Sequence, residues 1–291
     1  PSLGLVSRSG VVPITRRQDT PGPVARSVYD VALLLNQLAG ADPTDPLTGQ
    51  APQGVDYTSA LSTEALQGKR IGVIVDEGEE RRSTFALLPA VKTLERSQCD
   101  LGNGVVHDLS PQYCAAVKTL QNNGAVLVPV TLNPPDMSNY VQVLLAGMKL
   151  ELQAYLNTRN GLPVASLENL IDFNEQNPVD ENYGQQMLEQ VNAQTLSEEE
   201  IEALWLPIQA GFKGMIDTQF QNHTLDAMVA DYDYISQSST AIAGYPIITV
   251  PSGVEDGEPT SISFIGSMWE DAGLLGFAYA YEQASLKLVH P

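Results

Sequence analysis

Apolar residues change their spacing twice along the chain, and the changes divide it into thirds. Between Val24 and Leu38 they fall at Val28, Val31, Ala32, Leu35 and Leu38, the three-to-four spacing of an amphipathic helix. Pro23 stands near its first turn, where a missing N–H costs least, and Gly40 stands just past its end. Arg26 and Asp30 are spaced to pair across one turn. Ahead of this helix, Leu3 to Val6 is a short apolar run. Gly10, Pro13, Pro21, Gly22 and Pro23 then impose a looped path. Asp42 to Tyr57, rich in Asp, Pro, Gly and Gln, reads as loop.

The run Lys69–Val75, which follows a Gly, predicts a buried strand, followed by helices over about 87–96 and 111–123. Gly124 closes the second helix, and 125–130 is the next strand. Strand, helix and strand in that order predict a right-handed unit with parallel strands. The middle third is helical throughout. Residues 139–157 carry a helical period, Ser166 reads as an N-cap, and Ser197 with Glu200 forms a capping box. The helix opened there is expected to bend near Pro207 and Gly211. The last third returns to sheet. It holds a strand over 225–230, a short helix over 236–243 and a strand over 247–250. A hairpin turn at Asp256-Gly257, a strand over 261–265 and a terminal helix over about 271–287 complete it. The expected fold is α/β, a mixed sheet core flanked by helices. The whole chain reads as one domain with a helical lobe at about 137–222.

Charge and composition narrow the function. With 35 acidic against 15 basic residues the net charge is −20, and there is no basic stripe, so nucleic acid is not expected as a partner. An anionic membrane surface is equally poorly matched, and no run reaches the roughly 20 apolar residues of a membrane span. His107, His223 and His290 are scattered, and Cys99 and Cys114 form no C-x-x-C pair. Neither a metal nor a cofactor is expected. The serine–lysine spacing S-x-x-K and the elbow G-x-S-x-G are both absent. Ser7 and Ser9 have no lysine or histidine beside them and read as loop caps.

Three blocks carry a family resemblance. The first is Leu5-Val6-Ser7-Arg8-Ser9-Gly10, Pro13-Ile14, and Asp19-Thr20-Pro21-Gly22-Pro23-Val24-Ala25-Arg26-Ser27-Val28 with Asp30; Gly40 to Pro46 continues it. The second is Tyr155-Leu156 with Leu167, Leu170, Ile171, Phe173 and Asn174. The third is Gly244-Tyr245-Pro246, Ile248-Thr249-Val250-Pro251, Gly253, Phe264-Ile265-Gly266 and the helix ending Ala280-Tyr281-Glu282-Gln283-Ala284. The first and third resemble the amidase signature hydrolases, and the second is similar to the peptide amidase branch. Asp19, Thr20, Gly22, Pro23, Arg26, Gly244, Tyr245 and Pro246 are the structural signature positions.

The resemblance implies an amide hydrolase working through a serine acyl-enzyme, with a second serine held by a cis peptide bond and a lysine. It places all three, and the glycine- and serine-rich oxyanion loop, before a Lys-Pro-Ser-Leu-Gly segment. Here that segment begins at Pro1, and no G-G-S-S-G-G run is present. No catalytic residue is therefore assigned within the chain. It is expected to be the carboxyl-terminal portion of an amidase and inactive alone. Two other readings stand: a glutamyl-tRNA amidotransferase of the A type, and a non-catalytic binding or scaffold protein derived from the family.

The expected substrate is a small amide or a peptide amide. Asp231, Tyr232, Asp233 and Tyr234 are the candidate contacts, because they follow a strand at its carboxyl end, where open α/β sheets place ligands. An ordinary polar loop is the competing reading. Asp19 and Arg26 could form a polar clamp. The plainer reading has Asp19 accepting loop N–H groups and Arg26 tying the loop to the helix. A sheet that lacks upstream strands would self-associate or pair with the missing amino-terminal segment. Cys99 and Cys114 flank a Gly- and Asn-containing stretch that looks inserted relative to the family. A disulfide between them would imply a periplasmic or secreted protein, and two free thiols a cytoplasmic one.

Overall fold

The computed structural model describes residues 1–75, 97–102, 104–177, 184–231 and 234–287. The expected helix at about 87–96 lies outside them. The chain divides into two compact units. The first holds Pro1–Ser7, Thr20–Pro134 and Phe212–Pro291; the second holds Arg8–Asp19 and Pro135–Gly211.

The first unit is built on a five-stranded mixed sheet of β1 (Arg70–Ile74), β4 (Val126–Val130), β5 (Ala227–Asp231), β6 (Ile247–Glu255) and β7 (Glu258–Ile265), in the order β4-β1-β5-β7-β6. β1 runs parallel to β4 (Arg70 opposite Val126) and to β5 (Ile71 opposite Ala227). β7 runs antiparallel to both β5 and β6. β1 and β5 are buried almost throughout, which is why they read as continuous apolar runs. At Gly72 a Cβ would lie 2.7 Å from Leu225 Cδ1, so a larger residue there would have to move that side chain. α2 (Pro111–Asn122) buries Tyr113, Ala116, Val117 and Leu120. α8 (Asp271–Ser285) packs against β6, β7, α2 and α1 (Val28–Leu38). Gly276 lets α8 close on the preceding chain, since a Cβ there would meet the Ala60 carbonyl oxygen at 2.7 Å.

Three local expectations are corrected. α1 begins at Val28 and not near Val24, because Ser27 Oγ accepts from Asp30 N–H at 3.1 Å and sets the cap there. Arg26 is thus outside the helix, and the Asp30 carboxylate accepts from Ser27 Oγ rather than pairing along a helix face. The region around the cysteines contains an antiparallel ribbon of β2 (Ser97–Asp100) and β3 (Val106–Leu109), which the sequence pattern did not indicate.

The second unit contains α3 (Tyr140–Asn157), α4 (Leu167–Gln176), α5 (Gln186–Asn192) and the first half of α6 (Glu198–His223). Leu145, Leu152, Leu156, Leu167 and Val191 form its core. Lys149 Nζ holds the end of α5 by donating to the carbonyls of Asn192 and Gln194 at 2.6 and 2.7 Å. α6 runs unbroken through Pro207, whose ring lies on the exposed side. The unit takes in residues 8–19 and leaves residues 212–222 to the first unit, whereas periodicity alone set the lobe at 137–222. Arg17 ties residues 8–19 to this unit. Its side chain is 4% exposed and pairs with Glu151 and Glu202, 3.2 and 3.1 Å away, and with Glu198 at 2.7 Å.

The capping box is complete. Ser197 Oγ accepts from Glu200 N–H, and the Glu200 carboxylate accepts from Ser197 N–H at 2.8 Å. Ser197→Ala is expected to destabilise the second unit by about 1 kcal/mol. The Ser197 hydrogen bonds hold the Glu200 carboxyl below its ordinary value. A depressed carboxyl contributes its stability above the unfolded value and loses it as pH falls through the folded one. The deficit of Ser197→Ala should therefore shrink in acid. Urea midpoints followed by Trp205, buried in α6, in a Trp269→Phe background measure it; a deficit that does not change with pH would exclude Glu200 as the partner.

Candidate functional site

The two ends of the opening segment, both in the first unit, are held by α8. Ser2, fully buried, donates its backbone N–H to Asp271 Oδ1 at 2.8 Å and its hydroxyl to Asp271 Oδ2 at 2.6 Å. Trp269 N–H donates to Ser2 Oγ at 2.9 Å, and Leu3 N–H to the Gly244 carbonyl at 3.0 Å. At the other end of the segment, Val28 N–H donates to Glu282 Oε1 at 2.9 Å, so a carboxylate from α8 supports the first turn of α1. Between these anchors lies a cavity of about 410 Å³, with Val31, Ile248, Val250 and Leu274 among its apolar walls and Arg26, Asp271 and Glu282 as its charged lining. Tyr57 stands near Asp271; burial, and then the Asp271 charge, push its phenol up to about 12.

Of the Gly244-Tyr245-Pro246 turn, Pro246 lines the same cavity. Gly244 has φ +78, and a Cβ there would lie 3.1 Å from Leu3 Cβ, so the signature glycine is required by both conformation and approach. Tyr245 donates its hydroxyl to Asp217 at 2.7 Å; burial, and then the Asp217 carboxylate, raise its phenol above the usual value.

A second cluster stands at the carboxyl end of β5. Asp231 accepts from Ser110 Oγ at 2.7 Å. Ser110 also caps α2, accepting from Tyr113 N–H at 3.2 Å, and the Tyr113 hydroxyl donates to the Val229 carbonyl at 2.7 Å. Of the four candidate contacts, Asp231 ends β5 and Tyr234 opens α7 (Tyr234–Ala243); Tyr232 and Asp233 lie outside the described residues. Ser110 and Tyr113 were missed as site neighbours. The Ser110-Pro111 cap was the available signal, but only the fold brings it to Asp231. Ser236, Ser239 and Thr240 are buried in α7.

Asp19 accepts the N–H groups of Ile14 and Thr15 at 2.8 and 2.9 Å, the arrangement expected for a loop carboxylate. Burial pushes its carboxyl up, and those two hydrogen bonds oppose the shift. Asp19 belongs to the second unit and Arg26 to the first. Thr20, Gly22 and Pro23 open the chain's return to the first unit, and a Cβ on Gly22 would meet Pro1 Cδ at 2.8 Å. Cys99 and Cys114 are bonded, with Cα atoms 5.8 Å apart, and join β2 to α2. The Ser2 and Ser110 hydroxyls therefore face carboxylates, an arrangement that orients chain segments. Among the described residues no group of His, Cys, Asp or Glu could hold a metal ion.

A mixed sheet with helices on it, a looped signature segment whose two ends are anchored on the terminal helix and a Gly-Tyr-Pro turn against Leu3 define an amidase-type α/β fold. The chain belongs to the amidase signature family: the family model described as Amidase matches residues 1–275. It is 35% identical to a probable amidase of Arabidopsis thaliana, covering 98% of this chain and 52% of that protein. It is 26% identical to the A-type component of the glutamyl-tRNA(Gln) amidotransferase of Thermoanaerobacter pseudethanolicus, covering 98% and 58%. Among solved structures, the native peptide amidase of Stenotrophomonas maltophilia is 33% identical with a TM-score of 0.78, covering 98% of this chain and 57% of that one. An amidase family protein of Bacillus anthracis is 30% identical with a TM-score of 0.80, covering 99% and 52%. The chain thus spans about half the length of the relatives it matches.

Proposed function

We propose that the whole protein to which this chain belongs hydrolyses the C–N bond of a carboxamide, with a small amide or a C-terminal peptide amide as substrate. A serine oxygen adds to the amide carbonyl while a neutral lysine, through the second serine, takes the hydroxyl proton. That proton passes to the departing amine as the C–N bond breaks, leaving an acyl-enzyme that water cleaves to the carboxylic acid. The serines and the lysine precede Pro1. This chain supplies the signature segment, its anchors on α8 and the carboxyl end of β5, where Asp231 is suited to hold a substrate ammonium or amide N–H. The observation that carries the reading is the similarity to a peptide amidase along nearly the entire chain. The amidotransferase reading rests on lower identity, and the net charge of −20 suits a tRNA-linked role poorly. Export from the cytoplasm is part of the proposal and is supported by the Cys99–Cys114 pairing.

The test compares two proteins on aryl amides and C-terminal peptide amides. Residues 1–291 alone should show no turnover. The protein extended through the residues before Pro1 should turn over on the order of 10 times per second and be blocked by a serine-reactive phosphonate. Phosphonate-sensitive turnover by residues 1–291 would put the nucleophile inside this chain. No turnover by the extended protein would favour a binding or scaffold role.

A related expectation concerns association. β6 ends the sheet order, and Tyr29, Leu33, Leu34 and Leu38 are exposed on α1. Residues 1–291 should therefore self-associate or bind the upstream segment in trans. Light scattering showing a compact monomer at all concentrations, with no binding of an apolar dye, would count against it.

A further inference from the structure

α8 carries two buried carboxylates, Asp271 and Glu282. Eleven residues separate them, close to three helical turns, so both lie on one face of the helix. Each receives a backbone N–H from one end of the opening segment, Ser2 at Asp271 and Val28 at Glu282. The Asp271 end is the more constrained. Its two oxygens take the N–H and the hydroxyl of the same residue, and that hydroxyl in turn accepts from Trp269 N–H. Trp269 itself has φ +70, the left-handed region that a bulky side chain rarely adopts. A buried carboxylate, a fully buried serine and a strained tryptophan backbone are all committed to fixing one backbone position. An apolar contact would give stability there without this geometry.

We propose that Asp271, acting through Ser2, is a positioning residue that fixes the point where the chain leaves the catalytic segment. The inference rests on the proposed function, which places the nucleophilic serine upstream of Pro1. Ser2 is then the first residue after that segment whose backbone and side chain are both anchored. Loosening it lets the nucleophile drift from its attack geometry while Asp231, the proposed substrate contact at the end of β5, keeps its place. A misplacement of about 1 Å costs on the order of 100-fold in rate. Glu282 anchors the far end of the segment, at α1, and serves as the control.

The test uses the whole protein with Asp271→Asn, Ser2→Ala, the double variant and Glu282→Gln, assayed on a C-terminal peptide amide. Ser2→Ala and Asp271→Asn should each lower kcat by about 10- to 100-fold with KM within about twofold, since only geometry in the transition state is lost. The double variant should be no worse than the poorer single one, because both break one contact. Glu282→Gln, at the far end of the segment, should lower the unfolding midpoint and cost less in kcat than either Ser2→Ala or Asp271→Asn. If Asp271→Asn does not fold, the kcat of Ser2→Ala decides. Turnover by the unsubstituted protein with unchanged kcat in Ser2→Ala overturns the inference alone. No turnover by the unsubstituted protein overturns the reading beneath it, and the inference falls with that reading.

Discussion

Breaking the Cys99–Cys114 bridge is expected to cost the first unit about 3 kcal/mol, the chain-entropy value for a loop of this size. The cysteines are 15 residues apart in sequence, and the loop they close holds the end of β2 and all of β3. A two-stranded ribbon is marginal by itself. Its buried residues are Cys99, Leu101 and Leu109, so the bond to α2 is a large part of what holds it. A loss of this size in a unit of roughly 200 residues corresponds to a fall of about 6–12 °C in Tm. The double variant Cys99→Ser/Cys114→Ser and the reduced protein should agree, and hydrogen exchange should rise first in the ribbon. Thiol labelling of denatured, non-reduced protein from its native source, read by peptide mass mapping, should leave Cys99 and Cys114 unlabelled. Labelling of the two in freshly isolated material would end both the disulfide and the argument for export. An unchanged Tm in the double variant would show that the ribbon is held by its apolar anchors alone.

What the sequence reveals of this fold depends on how local the cause is. β1 and β5 are legible because interior strands are apolar on both faces, and β4, at the sheet edge, because its run of valine and leucine follows Gly124. The β6–β7 hairpin is legible because Asp256 and Gly257 supply the two positive φ values, +51 and +83, that its turn demands. The β2–β3 ribbon is not legible, because each strand buries a single residue, Cys99 or Leu109, and shows no alternation. The start of α1 is not legible, because Val24 is apolar yet 93% exposed and its hydrophobicity marks no helix face. Site geometry is still less local. Ser2 and Asp271 are 269 positions apart, and Ser110 and Asp231 are 121 apart. No spacing rule joins such pairs, whereas the Ser197–Glu200 box lies within one turn and could be read directly.

Replacing Arg17 with methionine is expected to destabilise the second unit by about 3 kcal/mol at pH 8. Arg17 is 4% exposed and faces three carboxylates, of which Glu151 is 10% exposed while Glu198 and Glu202 are 46% and 45% exposed. Methionine fills much of the same volume, so the loss is electrostatic. Glu198 and Glu202 can turn to water, and their contribution is small. Glu151 cannot, and a buried charge stripped of its partner costs about 3–5 kcal/mol, which puts the whole change at the lower end of that range. The pH dependence separates this cause from a packing defect. Burial raises the Glu151 carboxyl; the Arg16 N–H bond and the charges of Arg16 and Arg17 oppose the shift, and Asp19 adds to it. A raised carboxyl contributes its stability fully below the unfolded value of about 4.3 and loses it as pH rises through the folded value. Removing Arg17 takes away one opposing charge and raises the folded value further, so the penalty in the variant grows with pH. The deficit should be smaller at pH 5, where more of Glu151 is protonated, than at pH 8. Urea unfolding followed by Trp205 in a Trp269→Phe background reports on the second unit alone, because Trp205 lies in it and Trp269 in the first. A deficit equal at the two pH values would assign the loss to packing; a deficit below about 1 kcal/mol at pH 8 would mean that Glu151 finds water when Arg17 is gone.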